Sequence, residues 1–212
     1  MPVATVVMTS EPWKERLDHA RASVSAYADT DPADPVDVFE FDLLLGAFCA
    51  RRLIEIGAVR GDIVSRRWEV QRFPFDPSRP HPKVGFVVEH LVFDDYLWDR
   101  PEPTTLTTVQ IFNSLMHCAW LLEVRAHDED EYPGPVVGVH FTTDKARATA
   151  AYALNLSSLL SIYNAISDAC LDSHEAMRAV AARQPTVAAW PELHQATTRE
   201  SPEPAAETAN ED

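Results

Sequence analysis

The sequence predicts an α+β fold, an antiparallel sheet of about four to five strands flanked by N-terminal and C-terminal helices in a single domain. Three observations lead to this prediction. The chain has 212 residues, 46% of them hydrophobic and 24% charged, which is a normal globular composition. Apolar residues recur at helical spacing near both ends and alternate in short segments between them. Short strands that follow one another through hairpin loops pair antiparallel, because parallel neighbours need long crossovers.

The domain is predicted to span residues 10–195, after a short N-terminal extension over residues 1–9. From residue 196 onward the chain has no apolar side chain larger than that of Ala and is rich in Thr, Glu and Pro. Such a segment cannot bury enough apolar surface to offset its conformational entropy. Residues 196–212 are therefore predicted to form a disordered acidic tail.

The two helices predicted first along the chain differ in character. Ser10 is placed to cap the first helix, whose apolar residues recur at spacings of three and four and form a narrow stripe. The stripe, which could dock on the core or on a neighbouring copy, consists of Trp13, Leu17, Ala20, Val24 and Tyr27. From Val36 to Ala58 apolar residues point to every side, which predicts a buried central helix.

The rest of the chain alternates between short strands and helices. Ser157 or Ser158 is predicted to cap a helix that reaches Cys170, and a further helix is predicted over residues 173–183. Before these, the expected order is a strand over 65–74, a strand over 83–93, a helix over 104–117, and strands over 118–126, 136–143 and 149–156.

Charge and cysteine content restrict the classes of partner and site. There are 18 Lys and Arg against 33 Asp and Glu, so the formal net charge is −15. A chain this acidic is not expected to bind naked nucleic acid directly. Cys49, Cys118 and Cys170 lack the spacing of a disulfide framework or zinc knuckle, so reduced cysteines are expected. We recognise no signal peptide, and a cytoplasmic protein is the simplest expectation.

The stretch from Pro103 to Leu122 contains no Asp, Glu, Lys or Arg. It is too polar for a membrane span, so no membrane interaction is expected. In so acidic a protein, an uncharged stretch suggests that water does not reach it in the working assembly. Phe112, Met116 and Trp120 add the aromatic and methionine side chains that are enriched in protein interfaces. The stretch is therefore predicted to contact the core, a second copy or a ligand.

One face of the helix in this stretch carries the first candidate site, formed by Gln110, Asn113, Ser114 and His117. Asn113 and His117 are four residues apart and can touch on a helix. An asparagine in contact with an imidazole can fix its tautomer, as a general base requires. A polar face satisfied by backbone groups, or a dimer contact, is the more ordinary explanation.

The second candidate site lies in the segment from Gly138 to Asp144. In a strand, His140 and Thr142, and with them Asp144, share the face of Gly138, which would leave room for a close neighbour. If this face met the first site, His117 and His140 could perform acid–base chemistry. Two histidines near a carboxylate also suit zinc, but no spacing requires it, so neither a metal site nor a cofactor is predicted.

Two functions follow from these features. The first is a non-catalytic protein-interaction module, regulatory or for assembly, that self-associates and binds a protein partner. Its predicted interface residues are Gln110, Ser114, Phe112, Met116, Trp120, Thr142 and Asp144. The alternative is a small hydrolase or nuclease-like enzyme with Asn113, His117 and His140 as catalytic residues. An acidic mimic of nucleic acid is a third and weaker alternative, because most of the acidic residues are dispersed.

Overall fold

The computed structural model describes residues 9–29, 36–79, 95–126, 134–143, 145–146 and 149–171, together with Glu175 and Arg178. These residues form the predicted α+β fold, with an antiparallel sheet and flanking helices. The elements are α1 (Glu11–Asp29), α2 (Val36–Glu55), α3 (Gly61–Ser65), β1 (Arg67–Pro74), β2 (Glu102–Thr107), α4 (Thr108–Met116), β3 (Cys118–Arg125), β4 (Val136–Thr143), β5 (Ala150–Asn155) and α5 (Leu156–Asp168).

The strands lie in the order β2-β1-β5-β4-β3, and every neighbouring pair is antiparallel. Side chains alternate between the two faces of such a sheet. The inner face packs against the helices and supplies Val70, Val139, Phe141 and Leu154 to the main core. We call the opposite face the outer sheet face; its own small apolar cluster is built on Phe73, Phe75, Tyr96 and Ala151.

Tyr163 of α5 connects three helices at the centre of the core. It is fully buried, and its hydroxyl donates a hydrogen bond to the Leu43 carbonyl of α2 at 2.8 Å. Its ring stacks on Phe112 of α4 with a centroid distance of 5.8 Å. A Cβ atom built on Gly46 would lie 2.8 Å from both Cζ and the hydroxyl oxygen of Tyr163. Only glycine therefore lets α2 approach α5 this closely.

The apolar stripe predicted on the first helix is confirmed. Leu17, Ala20 and Val24 are fully buried, and Tyr27 is almost so. Since Leu17, Val24 and Tyr27 pack in the main core, the stripe docks on the domain itself. The helix begins directly after Ser10, as predicted. The Ser10 hydroxyl, however, lies 3.4 Å from the Leu171 carbonyl oxygen, where it can donate a long hydrogen bond.

The prediction of one helix over residues 104–117 is wrong in its first turn. Residues 104–107 belong to β2, which pairs with β1, and α4 begins only at Thr108. The β-branched Thr104, Thr105 and Thr107 favour extended backbone. A capping box then starts the helix: the Thr107 hydroxyl accepts from the Gln110 amide at 3.2 Å, and the Gln110 side chain accepts from the Thr107 amide at 2.8 Å.

The last described helix also begins differently from the prediction. Neither Ser157 nor Ser158 caps α5; the cap is Asn155, whose Oδ1 accepts from the Ser158 amide at 2.7 Å. The predicted strand over 83–93 and the tail over 196–212 lie outside the described residues. So do residues 1–8 and, apart from Glu175 and Arg178, the predicted helix over 173–183.

The second helix is not buried on every side, as its composition had predicted. Its inner side is in the core, where Phe39, Leu43, Ala47, Ala50 and Leu53 are fully buried. On its other side Val38, Phe41 and Phe48 are 40%, 64% and 42% exposed. No described helix is long and apolar enough to cross a bilayer.

Substitution of Gly46 by alanine is expected to lower the free energy of unfolding by about 1–3 kcal/mol, the usual cost of overpacking a core. The added methyl group would collide with the buried Tyr163 ring. Chemical denaturation of Gly46→Ala and of Gly61→Ala measures the effect. Gly61 begins α3 with nothing within 4 Å of its Cβ position, so its substitution should be neutral or slightly stabilising. Equal effects of the two substitutions would contradict this account of the α2–α5 contact.

Candidate functional site

The polar face of α4 borders an open hollow of about 650 Å³, which we call the α4 hollow. Across it lie α2, the end of β4 with the turn that follows, and β5. The described lining residues are Arg51, Leu106, Gln110, Asn113, Ser114, His117, Thr143, Lys145, Ala146 and Tyr152. The four polar residues that the sequence singled out on this helix therefore share one site.

Burial differs along this face. Gln110 and His117 are exposed, whereas Asn113 and Ser114 are half-buried. Gln110 is also part of the capping box, so its side chain has a structural role at the start of α4. Asn113 Oδ1 is shielded from solvent and has no hydrogen-bond partner among the described residues. Because a buried acceptor without a donor is unfavourable, this atom is the clearest unmet polar requirement of the face.

The structure does not bring His117 and His140 together. His117 caps the C-terminal end of α4 and lines the α4 hollow. His140 lies on β4 between the core residues Val139 and Phe141, so its side chain points to the outer sheet face. The two histidines are thus on opposite sides of the sheet, and the predicted convergence is wrong. Asn113 lies on the same side of the sheet as His117, away from His140.

His140 belongs to an aromatic group on the outer sheet face. Its ring stacks on Trp98, with centroids 4.7 Å apart and an interplanar angle of 15°, and lies 5.6 Å from the Phe73 ring. Burial lowers the pKa of this imidazole. Beside the group, a hollow of about 570 Å³ reaches across Gln71, Ala153 and Gly138. The sequence pointed to this face through Gly138 and His140 but gave no sign of the aromatic residues around them.

Gly138 leaves room for a neighbouring strand. A Cβ atom built on it would lie 2.9 Å from the Leu154 carbonyl oxygen and 3.2 Å from Asn155 Cα, both in the backbone of β5. The pairing of β3 with β4 shifts register between Val124 and Arg125, opposite this part of β4. Glycine is therefore needed here for the close approach of two strands.

The predicted interface residues fall in different places. Phe112 is fully buried against Tyr163, and Thr142 is fully buried with its hydroxyl donating to the Ala150 carbonyl at 2.7 Å. Neither reaches a surface, so the interface prediction is wrong for both. Trp120 packs with the aromatic group of the outer sheet face. Met116 is half-buried near Phe48, and Asp144 lies outside the described residues.

Among the described residues, the most exposed apolar surface is one that the sequence analysis did not predict. We call it the α2 outward face; it consists of Val38, Phe41, Leu45 and Phe48. Their spacing of three, four and three residues keeps them on one side of a helix. Leu45 is half-buried, and the other three are exposed. The spacing is present in the sequence. Because apolar residues occupy the other sides of α2 as well, the sequence predicts a helix that is buried all round instead of a separate face.

Comparison of the chain with protein-family models, curated proteins and solved structures finds no match in any of the three. Function therefore has to follow from the geometry of the chain itself.

Replacement of His140 by phenylalanine is expected to remove part of the acid sensitivity of folding. The unfolded chain, with a histidine pKa of about 6.5, binds a proton at higher pH than the folded chain, in which burial lowers the pKa of His140. Stability should therefore fall as the pH drops below about 6.5 and level off below the folded pKa. Phenylalanine keeps a ring against Trp98 without this proton. Denaturation between pH 4 and pH 7 measures the difference.

The control is His117→Gln, which removes an exposed histidine on the other side of the sheet. The effect that is specific to position 140 is the difference between the two variants, since His117 takes no part in the packing around Trp98. If His140→Phe and the parent protein had parallel profiles, burial of His140 would not contribute to the pH dependence.

Proposed function

We propose that the protein is a non-catalytic interaction module, for regulation or assembly, and that it self-associates through the α2 outward face. The observation that supports this most is the position of its exposed large hydrophobic residues. Among the described residues there are four, and three of them, Val38, Phe41 and Phe48, lie on this one face. Contiguous exposed apolar surface on a soluble chain is typical of an interaction site.

The spacing of the face favours pairing with another helix of the same kind. Val38, Phe41, Leu45 and Phe48 occupy alternating positions of a heptad pattern, which is the seam of paired helices. In an antiparallel pair related by a two-fold axis, Leu45 of each copy lies at the axis. Phe41 of one copy then packs against Phe48 of the other. Such a pair is self-complementary, as two-fold interfaces are.

The charges on α2 favour the antiparallel over the parallel arrangement. Glu40 and Asp42 lie in its N-terminal half, and Arg51 and Arg52 lie in its C-terminal part. Glu55 pairs with both arginines within the helix, so the C-terminal part keeps one net positive charge. An antiparallel pair places the acidic half of one helix beside the basic end of the other. A parallel pair would place like charges together, which is unfavourable.

A stable interface buries about 800 Å² on each partner, and neighbouring residues add to the surface that α2 offers toward this area. Trp13 of α1 packs edge-on against Phe48, with ring centroids 5.7 Å apart. Met116 and His117, at the end of α4, share a small cavity with Phe48. Met116, in the uncharged stretch, thereby borders the proposed interface.

The enzymatic alternative is not proposed. It depended on His117 and His140 meeting in one pocket with Asn113 as the orienting residue. The two histidines lie on opposite sides of the sheet, so His117 and His140 do not form the acid–base pair that this alternative needs.

Substitution of Phe41 by glutamate is expected to dissociate the protein. Phe41 is the most exposed of the large hydrophobic residues on α2 and takes no part in the described core, so the monomer should remain folded. A buried charge at the centre of an interface should cost about 2 kcal/mol or more, which raises the dimer dissociation constant about thirtyfold. Analytical ultracentrifugation over a concentration series measures this constant.

The matched control is Val137→Glu, which places the same charge on an exposed apolar residue of β4. It should leave the dissociation constant unchanged. A parent protein that is monomeric at high micromolar concentration would overturn the proposal, as would equal effects of the two substitutions.

A further inference from the structure

We propose that the α4 hollow binds a small phosphate monoester that also carries hydroxyl groups. The hollow adjoins the α2 outward face at Arg51 and His117, whereas Asn113 and Lys145 line the hollow and not the cavity beside Phe48. The proposal goes beyond self-association and is tested through Asn113 and Lys145. Its volume of about 650 Å³ is within the usual range for small-molecule sites, about 300–1,000 Å³.

The charge of the lining is opposite to that of the protein. The chain carries a net charge of −15 and has only three lysines, Lys14, Lys83 and Lys145. Lys145 lines the hollow together with Arg51 and His117. No Asp or Glu is among the described lining residues. In so acidic a protein, a concave site with basic side chains and no described carboxylate favours an anionic ligand.

The donors suit a phosphoryl group better than a carboxylate. A phosphate monoester carries a charge of about −1.5 to −2 near neutral pH and presents three acceptor oxygens. Glu55 contacts Nε of Arg51 at 2.8 Å, which occupies one edge of that guanidinium. Lys145 lines another wall of the hollow and is exposed. Lys145 and the remaining edge of the Arg51 guanidinium, which come from separate elements, can both donate to a phosphoryl group, although Glu55 compensates the charge of Arg51.

The other lining residues favour a ligand that carries hydrogen-bond donors. Asn113 lines the hollow, and its Oδ1 is shielded from solvent and has no described partner. Rotation of the side-chain amide toward the hollow would let a ligand hydroxyl supply the missing donor. Ser114 adds a hydroxyl on the same face, while Leu106 and Tyr152 provide apolar surface. Together these walls fit the ring of a small sugar phosphate, which has apolar faces and hydroxyl edges.

Isothermal titration calorimetry on the full chain at constant ionic strength tests the proposal with glucose 6-phosphate. Inorganic phosphate and glucose serve as the two halves of this probe. We expect glucose 6-phosphate to bind more tightly than either half. Lys145→Gln should weaken binding of glucose 6-phosphate and of inorganic phosphate by about tenfold or more, because a charge-assisted hydrogen bond is lost.

Asn113→Leu distinguishes the two parts of the ligand. It removes the unmet acceptor and should weaken glucose 6-phosphate about tenfold while leaving inorganic phosphate unchanged. The charge control is Lys14→Gln on α1, where Lys14 pairs with Asp18 at 3.1 Å, and this variant should bind as the parent does. All three variants are first compared with the parent by thermal denaturation without ligand.

The proposal is overturned if glucose 6-phosphate shows no binding at millimolar concentration. It is equally overturned if Lys14→Gln weakens binding as much as Lys145→Gln, because the effect would then be general electrostatics. Loss of ligand binding with an intact dimer, or the reverse, separates this proposal from that of self-association.

Discussion

The contact between Tyr163 and α2 determines which side of that helix faces solvent. The Tyr163 hydroxyl donates a hydrogen bond to the Leu43 carbonyl. The Tyr163 ring lies where a side chain at position 46 would be, so Gly46 is required there. Phe112 stacks on the same ring, so α2, α4 and α5 meet at one buried residue. Since this contact fixes the rotation of α2, it places Phe41 on the opposite side, toward solvent. Both the α2 outward face and one wall of the α4 hollow depend on this orientation.

The sheet divides the polar features of the molecule into two environments. On the helix side, Asn113 and His117 border an open hollow with basic residues, where a charged ligand can approach from solvent. On the outer face, His140 is packed between Trp98 and Phe73, and burial lowers its pKa. A histidine held neutral against aromatic rings contributes packing, whereas one at the rim of a basic hollow can contact an anion. The same residue type therefore has different uses on the two sides.

Local patterns predicted much of the fold, because alternation and helical spacing depend on each segment alone. The strand over 136–143 and the stripe from Leu17 to Tyr27 show this. Three-dimensional contacts decided the rest. The burial of each side of α2 depends on which other elements pack against it. The composition of the helix does not contain this information. The four polar residues of α4 line one hollow, but whether His140 joined them depended on which face of β4 met the helices. The Thr107–Gln110 capping box was a local signal that could have placed the start of α4.

Disulfide cross-linking tests the central claim most directly, because it reports which residues meet in the assembly. In the antiparallel pair, position 45 of one copy lies beside position 45 of the other. The two copies of position 38 are then about 21 Å apart, fourteen residues at a rise of about 1.5 Å each. Under mild oxidation, Leu45→Cys should give a covalent dimer on a non-reducing gel, and Val38→Cys and Val137→Cys should remain monomeric. Equal cross-linking at positions 38 and 45 would indicate parallel helices, and no cross-link at position 45 would contradict association through α2.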